Sequence, residues 1–457
     1  MRGAPRLSGR PLLAALLAFL PLSGLATAPA HPEALALLLG DQHSAYDRTA
    51  QLVARVDRLQ AEHPGLPLVI LLNGDTQELG NVIARRTGGA IDFAMYGALA
   101  RRAPTIVNLG NHEPEFHDLA ETVRRIEATG ARVVTNIKDR GTGRVAAPPA
   151  LALTLGATPA VVVGVTTDNL ATYRVALRPE LDLADPVVWA RENFPTLLGG
   201  TPLPIVLSHA GIKADRAIQP LLPDGTLFAG AHDHQRFVEP FGRTVYVHSG
   251  SWNSHVSLAW LDRDDAGQPR WTVEQVALSA EDPADPEMKD LIDRVLAEHL
   301  QPEDRASVGR TQQAYAPAEA GRFAAAALRT AAGVDAAFIG NTTFGAGLPA
   351  GTVTRREFDA CVRFDGPVFV TEVDGVRLAE LLAAANLTPA TPFAQRRGEF
   401  NFADGPAAPD PTRTYRIATS DWGARNTDRY FGLPALVWRE VAGLKVKAAV
   451  ISGLSAP

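Results

Sequence analysis

Five short polar clusters in this chain could do chemistry: Asp41-x-His43, Gly74-Asp75, Gly110-Asn111-His112-Glu113, Ser208-His209 and Gly230-x-His232-x-His234. From them come two carboxylates, four imidazoles and one amide: Asp41, His43, Asp75, Asn111, His209, His232 and His234. Oxygen and imidazole ligands suit Mn²⁺, Zn²⁺ or Fe and need no thiolate. One ion would use three or four of the seven. Two ions use all of them if one carboxylate bridges, and Asp75, alone in its motif, is the natural bridge. An amide oxygen is a weak ligand, so Asn111 makes sense only beside the anionic ones. Two ions about 3.5–4 Å apart clamp the attacking and leaving oxygens of an in-line displacement, and a water there drops to a pKa of about 7. Two divalent cations outweigh two carboxylates, leaving positive charge for a hydroxide and a phosphate-like dianion. His112 is not needed as a ligand. Beside the centre it can give a proton or a hydrogen bond to the leaving oxygen, with Glu115 or Glu113 holding it oriented and protonated.

Such side chains must be brought together by the elements that precede them. Ala34–Leu39, Leu66–Leu72, Pro104–Leu109, Pro204–Leu207 and Leu227–Ala229 are short apolar runs of strand length, and each stops just before one cluster. Open α/β sheets build their sites at such strand ends. Helical spacing marks Asp47–Leu59, with Asp47 as a candidate N-cap, and helices are also expected over Ala90–Ala100 and Leu119–Thr129. Arg132–Thr135, Ala160–Val165 and Val245–His248 read as further strands. Strand outnumbers helix in the later part, which predicts an α/β fold of two facing sheets. A single His-x-His is more often an ordinary surface or core pair. Five ligand-type clusters at five strand ends reverse that reading.

Glu281–Gln301 reads as an acidic helical link. Beyond it the spacing predicts an alanine-rich helix over Ala318–Ala332, strands over Ala336–Ile339, Pro367–Val373 and Tyr415–Thr419, and a helix over Val376–Ala385. Thr388–Arg413, with its prolines and arginines, reads as a loop region with little regular structure.

The 457 residues suffice for two or three domains, and 46% hydrophobic with 21% charged residues is an ordinary globular balance. A net charge of -6 with no basic run argues against a nucleic acid partner. The single cysteine, Cys361, excludes an intrachain disulfide and a thiolate-rich zinc site. Arg2, Arg6 and Arg10, the apolar run Leu12–Leu20 and small residues up to Ala30 form a secretory signal pattern, with the cut expected after Ala30. A periplasmic or secreted protein is expected, with no membrane span after signal removal.

In order and spacing, these five motifs resemble the calcineurin-like metallophosphoesterases, and within them the secreted bacterial 5'-nucleotidase group. The resemblance spans residues 34–260. It implies a two-sheet α/β sandwich metallophosphatase domain followed by a smaller α+β substrate-binding domain. It assigns Asp41, His43, Asp75 and His234 to one divalent ion, and Asp75, Asn111, His209 and His232 to the other. It also places His112 on the catalytic histidine and Glu115 where the family has its partner aspartate. Farther on, Gly340-Asn341, Gly351-Thr352-Val353-Thr354, Val373-Asp374-Gly375, Tyr415–Trp422 and Asn426–Tyr430 are similar to the nucleotidase substrate domain. From these come the candidate substrate-binding residues Asn341, Phe344, Trp422, Asp428 and Tyr430. There are two departures. No arginine occurs in Thr342–Leu348, where nucleotidases hold phosphate, and Arg425-Asn426-Thr427-Asp428 replaces a Gly-Gly-Asp pattern. The expected organisation is a signal peptide (1–30), a dinuclear metallophosphoesterase domain (31–280), a linker helix (281–304) and a nucleotidase-like domain (305–457). The expected activity is metal-dependent hydrolysis of small phosphate esters, nucleotides foremost. A thiosulfohydrolase-type sulfur-ester hydrolase on the same fold, and a non-catalytic periplasmic binding protein, are the alternatives.

Overall fold

The computed structural model describes residues 32–433 and 436–456, so the expected signal segment lies outside the described residues. Two six-stranded sheets pack face to face. The first runs in the order Pro269–Ala277, His255–Arg263, Ala34–Leu39, Leu68–Asn73, Thr105–Asn108, Arg132–Val134. Its last four strands are parallel and the first two join antiparallel. The second runs Arg236–Phe241, Thr244–Ser249, Leu227–Gly230, Leu203–His209, Thr158–Thr166, Ala150–Leu155. Its four inner strands are parallel and both edges antiparallel.

Ala34–Leu39 is apolar throughout because both of its faces are buried. Alternate side chains of a strand point to opposite faces. Ala34, Ala36 and Leu38 therefore meet Val69, Leu71, Ile205 and Leu207 between the sheets. Leu35, Leu37 and Leu39 pack outward with Leu52, Val56 and Tyr96 of the helices Thr49–Glu62 and Ala90–Ala100. On the far side Trp189, Phe194 and Ile212 cover Val163, Val206 and Phe228. The result is helix, sheet, sheet, helix, the expected sandwich. Two buried amides pin the sheets together beneath the polar clusters. Asn73 Nδ2 donates to the carbonyls of Ser208 (3.0 Å) and Ala229 (2.9 Å). Asn108 Nδ2 donates to the carbonyls of Val165 (2.9 Å) and Leu207 (3.1 Å).

Three local expectations are corrected. Arg48, not Asp47, stands at the N-cap of Thr49–Glu62 and makes no side-chain cap bond, because Asp47 accepts from Trp252 Nε1 at 3.2 Å instead. The strand expected to end at Leu207 continues through His209, so that histidine projects from paired backbone rather than from a turn. Thr388–Arg413 is not all loop: Asn401–Asp404 is a strand paired antiparallel with Ala337–Gly340. Its apolar content, Phe402 and Ala403, is too short for a strand signal without its partner.

The link forms a helix over Pro286–His299, which starts at Asp285 and buries Met288 and Ile292 against the first core. Arg102 Nη2 reaches Asp285 at 2.8 Å and Arg86 Nη1 reaches Asp304 at 2.5 Å, so this stretch lies docked on the first domain. The second domain carries a five-stranded sheet in the order Asn401–Asp404, Ala336–Gly340, Thr414–Ser420, Pro367–Asp374, Arg439–Lys445. Ala320, Ala324 and Leu328 of the helix Pro317–Ala332 lie on it. Small residues there permit close approach: a Cβ on Gly321 would stand 2.2 Å from the Phe402 ring. Among the described residues no helix is long and apolar enough to cross a membrane.

Asp92 is buried on Ala90–Ala100, where Tyr46 Oη (2.8 Å) and Ser44 Oγ (3.2 Å) donate to its Oδ2. Burial pushes this carboxyl up to about 7, against the two hydroxyl donors. A raised folded pKa gives stability that is complete below the ordinary value of 3.8 and lost as the pH rises through 7. Relative to Asp92→Asn, the wild type should lose roughly 1 kcal/mol per pH unit across that window and stay level above it. Chemical denaturation of both proteins from pH 4 to 8 checks this, and parallel curves refute it.

Candidate metal centre

Five of the seven predicted ligands have left-handed backbones: Asp41 (φ 54°), His43 (50°), Asp75 (56°), His232 (80°) and His234 (55°). Each such non-glycine residue costs on the order of 1–3 kcal/mol and persists where function holds it. The tight turns at the strand ends produce them and swing successive side chains into one space. Two glycines leave room for the crowding. A Cβ on Gly110 would stand 2.3 Å from Asp75 Oδ1, and one on Gly74 would stand 2.5 Å from His209 Nδ1.

The side chains converge in two groups. Asp41, His43 and His234 bring one ligand atom each within 4.8 Å of one another, and so do Asp75, His209 and His232. His43 Nε2 and His234 Nε2 face each other at 2.8 Å. Asp75 Oδ2 lies 3.0 Å from His209 Nε2, and Asp41 Oδ1 lies 3.9 Å from that same nitrogen, so the two groups adjoin. Asn111 opens on the same cavity as Asp75 and His232.

The donor set fits cations. His209 Nδ1 is engaged by the Asn73 carbonyl at 2.8 Å, which turns the buried Nε2 towards Asp75 Oδ2 at 3.0 Å. Asn111 Oδ1 is buried and unpartnered. An imidazole fixed through one nitrogen, with the other aimed into the ligand cluster, is how proteins orient metal-binding histidines. Burial pushes Asp41 up to about 8, opposed by His209 and helped by the neighbouring Asp75. Two carboxylates out of water beside each other call for positive charge.

His112 Nδ1 and Glu115 Oε1 are 2.7 Å apart. The short helix Glu113–Glu115, bent at Pro114, turns Glu115 back onto His112 and sends Glu113 the other way. Glu113 accepts the backbone N–H groups of Asp75 (2.9 Å), Thr76 (2.7 Å) and Gly110 (2.6 Å), clasping two of the turns. Glu115, not Glu113, is therefore the carboxylate at His112. Burial alone would lower His112, but Glu115 and Asp75 raise it to about 10. Its Nε2 lies 3.9 Å from Asp75 Oδ2.

A cavity of about 650 Å³ opens over the centre, lined by Asp75, Asn111, His112, Glu115, His232 and His234 from one domain and Arg363, Phe364 and Trp422 from the other. Of the substrate candidates, Trp422 lines this cavity. Asp428 and Tyr430 line a second interdomain cavity of about 1000 Å³. Asn341 is a strut: its Nδ2 donates to the Asp233 carbonyl and its Oδ1 accepts from Phe400 N, both at 2.9 Å. Phe344 packs in the core, 3% exposed and edge-on to Phe402, because that strand-loop turns inward to complete the second domain's interior.

Sequence reasoning missed Glu78, Arg363 and Arg429. Glu78 Oε2 lies 3.3 Å from His43 Nδ1 and pairs with Arg363. Arg429 pairs with Glu399 and its Nη2 stands 3.1 Å from His232 Nε2. Arg363, later in the chain, reaches the cavity wall, but its terminal nitrogens are taken by Glu78 and the Thr342 carbonyl. A glutamate three residues past Asp75 was the one visible signal.

Residues 35–236 match the family model for calcineurin-like phosphoesterases, and residues 297–434 match that for the 5'-nucleotidase C-terminal domain. No curated protein sequence matches the chain. Among solved structures, the fold is similar to a 5'-nucleotidase precursor from Thermus thermophilus at 17% identity and TM-score 0.62, over 92% of this chain and 96% of that one. It is similar to a sulfate thiohydrolase, SoxB, from the same organism at 15% identity and TM-score 0.65, over 93% and 94%. It is also similar to a Candida albicans 5'-nucleotidase at 13% identity and TM-score 0.61, over 94% and 99%. The chain thus joins a calcineurin-like phosphoesterase domain to a 5'-nucleotidase C-terminal domain and belongs to the hydrolases built on that pair.

Proposed function

We propose that this chain is an exported, dinuclear metal-dependent phosphohydrolase acting on small phosphate esters, nucleotides foremost. The observation that carries this reading is the pair of adjoining ligand groups, Asp41/His43/His234 and Asp75/His209/His232, beneath one cavity. Asn111 completes the second group. When bound, a pair of divalent ions supplies Lewis acidity and makes water nucleophilic near neutral pH. The chain's own residues do the rest. His112, held by Glu115, donates to the departing oxygen. Phe364 and Trp422 give the cavity aromatic surface for a base. Export is supported by the pattern of residues 1–30.

A sulfur ester is the second reading, favoured by the fold likeness to a sulfate thiohydrolase. The test loads the protein with Mn²⁺ or Zn²⁺ and offers nucleoside mono- and diphosphates, cyclic nucleotides, p-nitrophenyl phosphate and a thiol-bound sulfonate. Phosphate release from nucleotides is expected. Sulfate release alone would assign the second reading, and no turnover with two ions bound would refute hydrolysis. If a base stacks on Trp422, worth ~1–3 kcal/mol, then Trp422→Ala should lower kcat/KM for a nucleotide about tenfold while sparing a small alkyl phosphate. An equal loss on both would deny the stacking.

A further inference from the structure

Glu78 and Arg363 come from different domains and meet behind His43. Glu78 is 1% exposed and Arg363 2%. Arg363 Nη1 pairs with Glu78 Oε2, and the same oxygen lies 3.3 Å from His43 Nδ1. The other oxygen, Oε1, accepts Gly80 N at 2.7 Å, which fixes the carboxylate. Arg363 is fixed in turn: Nη2 donates to the Thr342 carbonyl at 2.5 Å, and its guanidinium lies 4.9 Å from the Phe364 ring centroid. On the opposite edge of the imidazole, Nε2 faces His234 Nε2 at 2.8 Å. A neutral imidazole that gives its Nε2 lone pair to a cation carries its proton on Nδ1. That is the nitrogen beside Glu78. Carboxylates on the remote nitrogen set the tautomer and ring angle of a metal-binding histidine. Here the carboxylate is itself buried, and a buried charge is tolerated only when paired. The partner, Arg363, belongs to the second domain.

We propose that Glu78 and Arg363 are positioning residues for His43, so that ion binding by Asp41, His43 and His234 depends on the second domain being docked. Ion binding by Asp75, Asn111, His209 and His232 has no such tether to Arg363; the second domain meets that group through Arg429, whose Nη2 stands 3.1 Å from His232 Nε2. This rests on the reading of a paired-ion centre, so its test measures ion binding with no substrate present.

Metal-free wild type, Glu78→Gln, Arg363→Gln and the double variant are titrated with Mn²⁺, with free Mn²⁺ followed by electron paramagnetic resonance and bound metal counted by elemental analysis. The wild type should take up two ions. Glu78→Gln should weaken one of them about 10- to 100-fold and leave the other unchanged. Arg363→Gln should weaken that same ion, and the double variant should be no worse than Glu78→Gln alone, because the two residues act in series. Arg363→Lys, which keeps the charge but loses the fork, should give an intermediate loss and replaces the glutamine variant if circular dichroism shows that variant unfolded. Two ions bound with wild-type affinity in Glu78→Gln and in the arginine variant would overturn the proposal. So would equal weakening of both ions, which marks general structural support. A wild type that takes up no Mn²⁺ overturns the paired-ion centre itself, and this proposal with it.

Discussion

Asp75→Ala is expected to lose both ions at once and to lower phosphate release about 1000-fold or more. Asp75 stands with His209 and His232, and as the bridging carboxylate expected from the motifs it would serve both halves of the centre. Its Oδ2 lies 3.0 Å from His209 Nε2 and 3.9 Å from His112 Nε2, while its Oδ1 accepts the His112 backbone N–H at 2.8 Å. Removing it takes away one of the two carboxylates in the expected ligand set, and with it half of that set's negative charge. Lewis-acid stabilisation is worth several kcal/mol, and about 4 kcal/mol is a factor of 1000 in rate. The metal-free variant should still fold, since the deletion also relieves the repulsion that helps raise Asp41. Ligand linkage gives an independent readout: Mn²⁺ should raise the Tm of wild type and leave that of the variant where it was. His234→Ala is the contrast, expected to lose one ion and keep the other. Retention of two ions by Asp75→Ala would remove this residue from the bridging position.

How much of this was legible in the sequence follows from the physics of each element. Ala34–Leu39 and Leu68–Asn73 are apolar on both faces, and unbroken apolar runs of that length read as buried parallel strands. The clusters that end them announce ligands. The strand Asn401–Asp404 was not legible, because its four residues gain their meaning only from pairing with Ala337–Gly340, far earlier in the chain. The cap at Thr49–Glu62 failed for a similar reason. Asp47 has a competing partner, Trp252, that no local rule can see.

The site divides along the same line. Ligands sit in turns whose residue types carry the chemistry, so their identity can be read. Supporting residues owe their role to where the second domain docks. Glu78 matters because Arg363 and His43 flank it, and Arg429 because it meets Glu399 and His232. None of these pairings has a sequence spacing. Phe344 shows the converse: a motif analogy named the residue, but its aromatic ring packs against Phe402 within the second domain's core. Trp422, on the short helix Asp421–Arg425, keeps its face to the cavity.

His112→Ala should leave both ions bound and lower kcat about 100- to 10,000-fold, but only for substrates whose leaving oxygen needs a proton. The geometry separates this residue from the ligands: its Nδ1 is taken by Glu115 at 2.7 Å, and its ring opens on the cavity above Asp75. A nucleoside alkoxide is a poor leaving group and gains most from a donor. A nitrophenolate leaves without one, so p-nitrophenyl phosphate should be hydrolysed at close to the wild-type rate. The alkaline limb of the pH profile gives the matching test. Burial lowers His112, while Glu115 and Asp75 raise it, so the donor form is favoured at neutral pH and is lost as the pH climbs. Glu115→Gln removes the foremost of the raising groups, and the limb should move to lower pH for nucleotides while metal content is unchanged. If His112→Ala slowed both substrates alike, the imidazole would be supporting the centre through its Nε2, 3.9 Å from Asp75 Oδ2, instead of serving the departing oxygen.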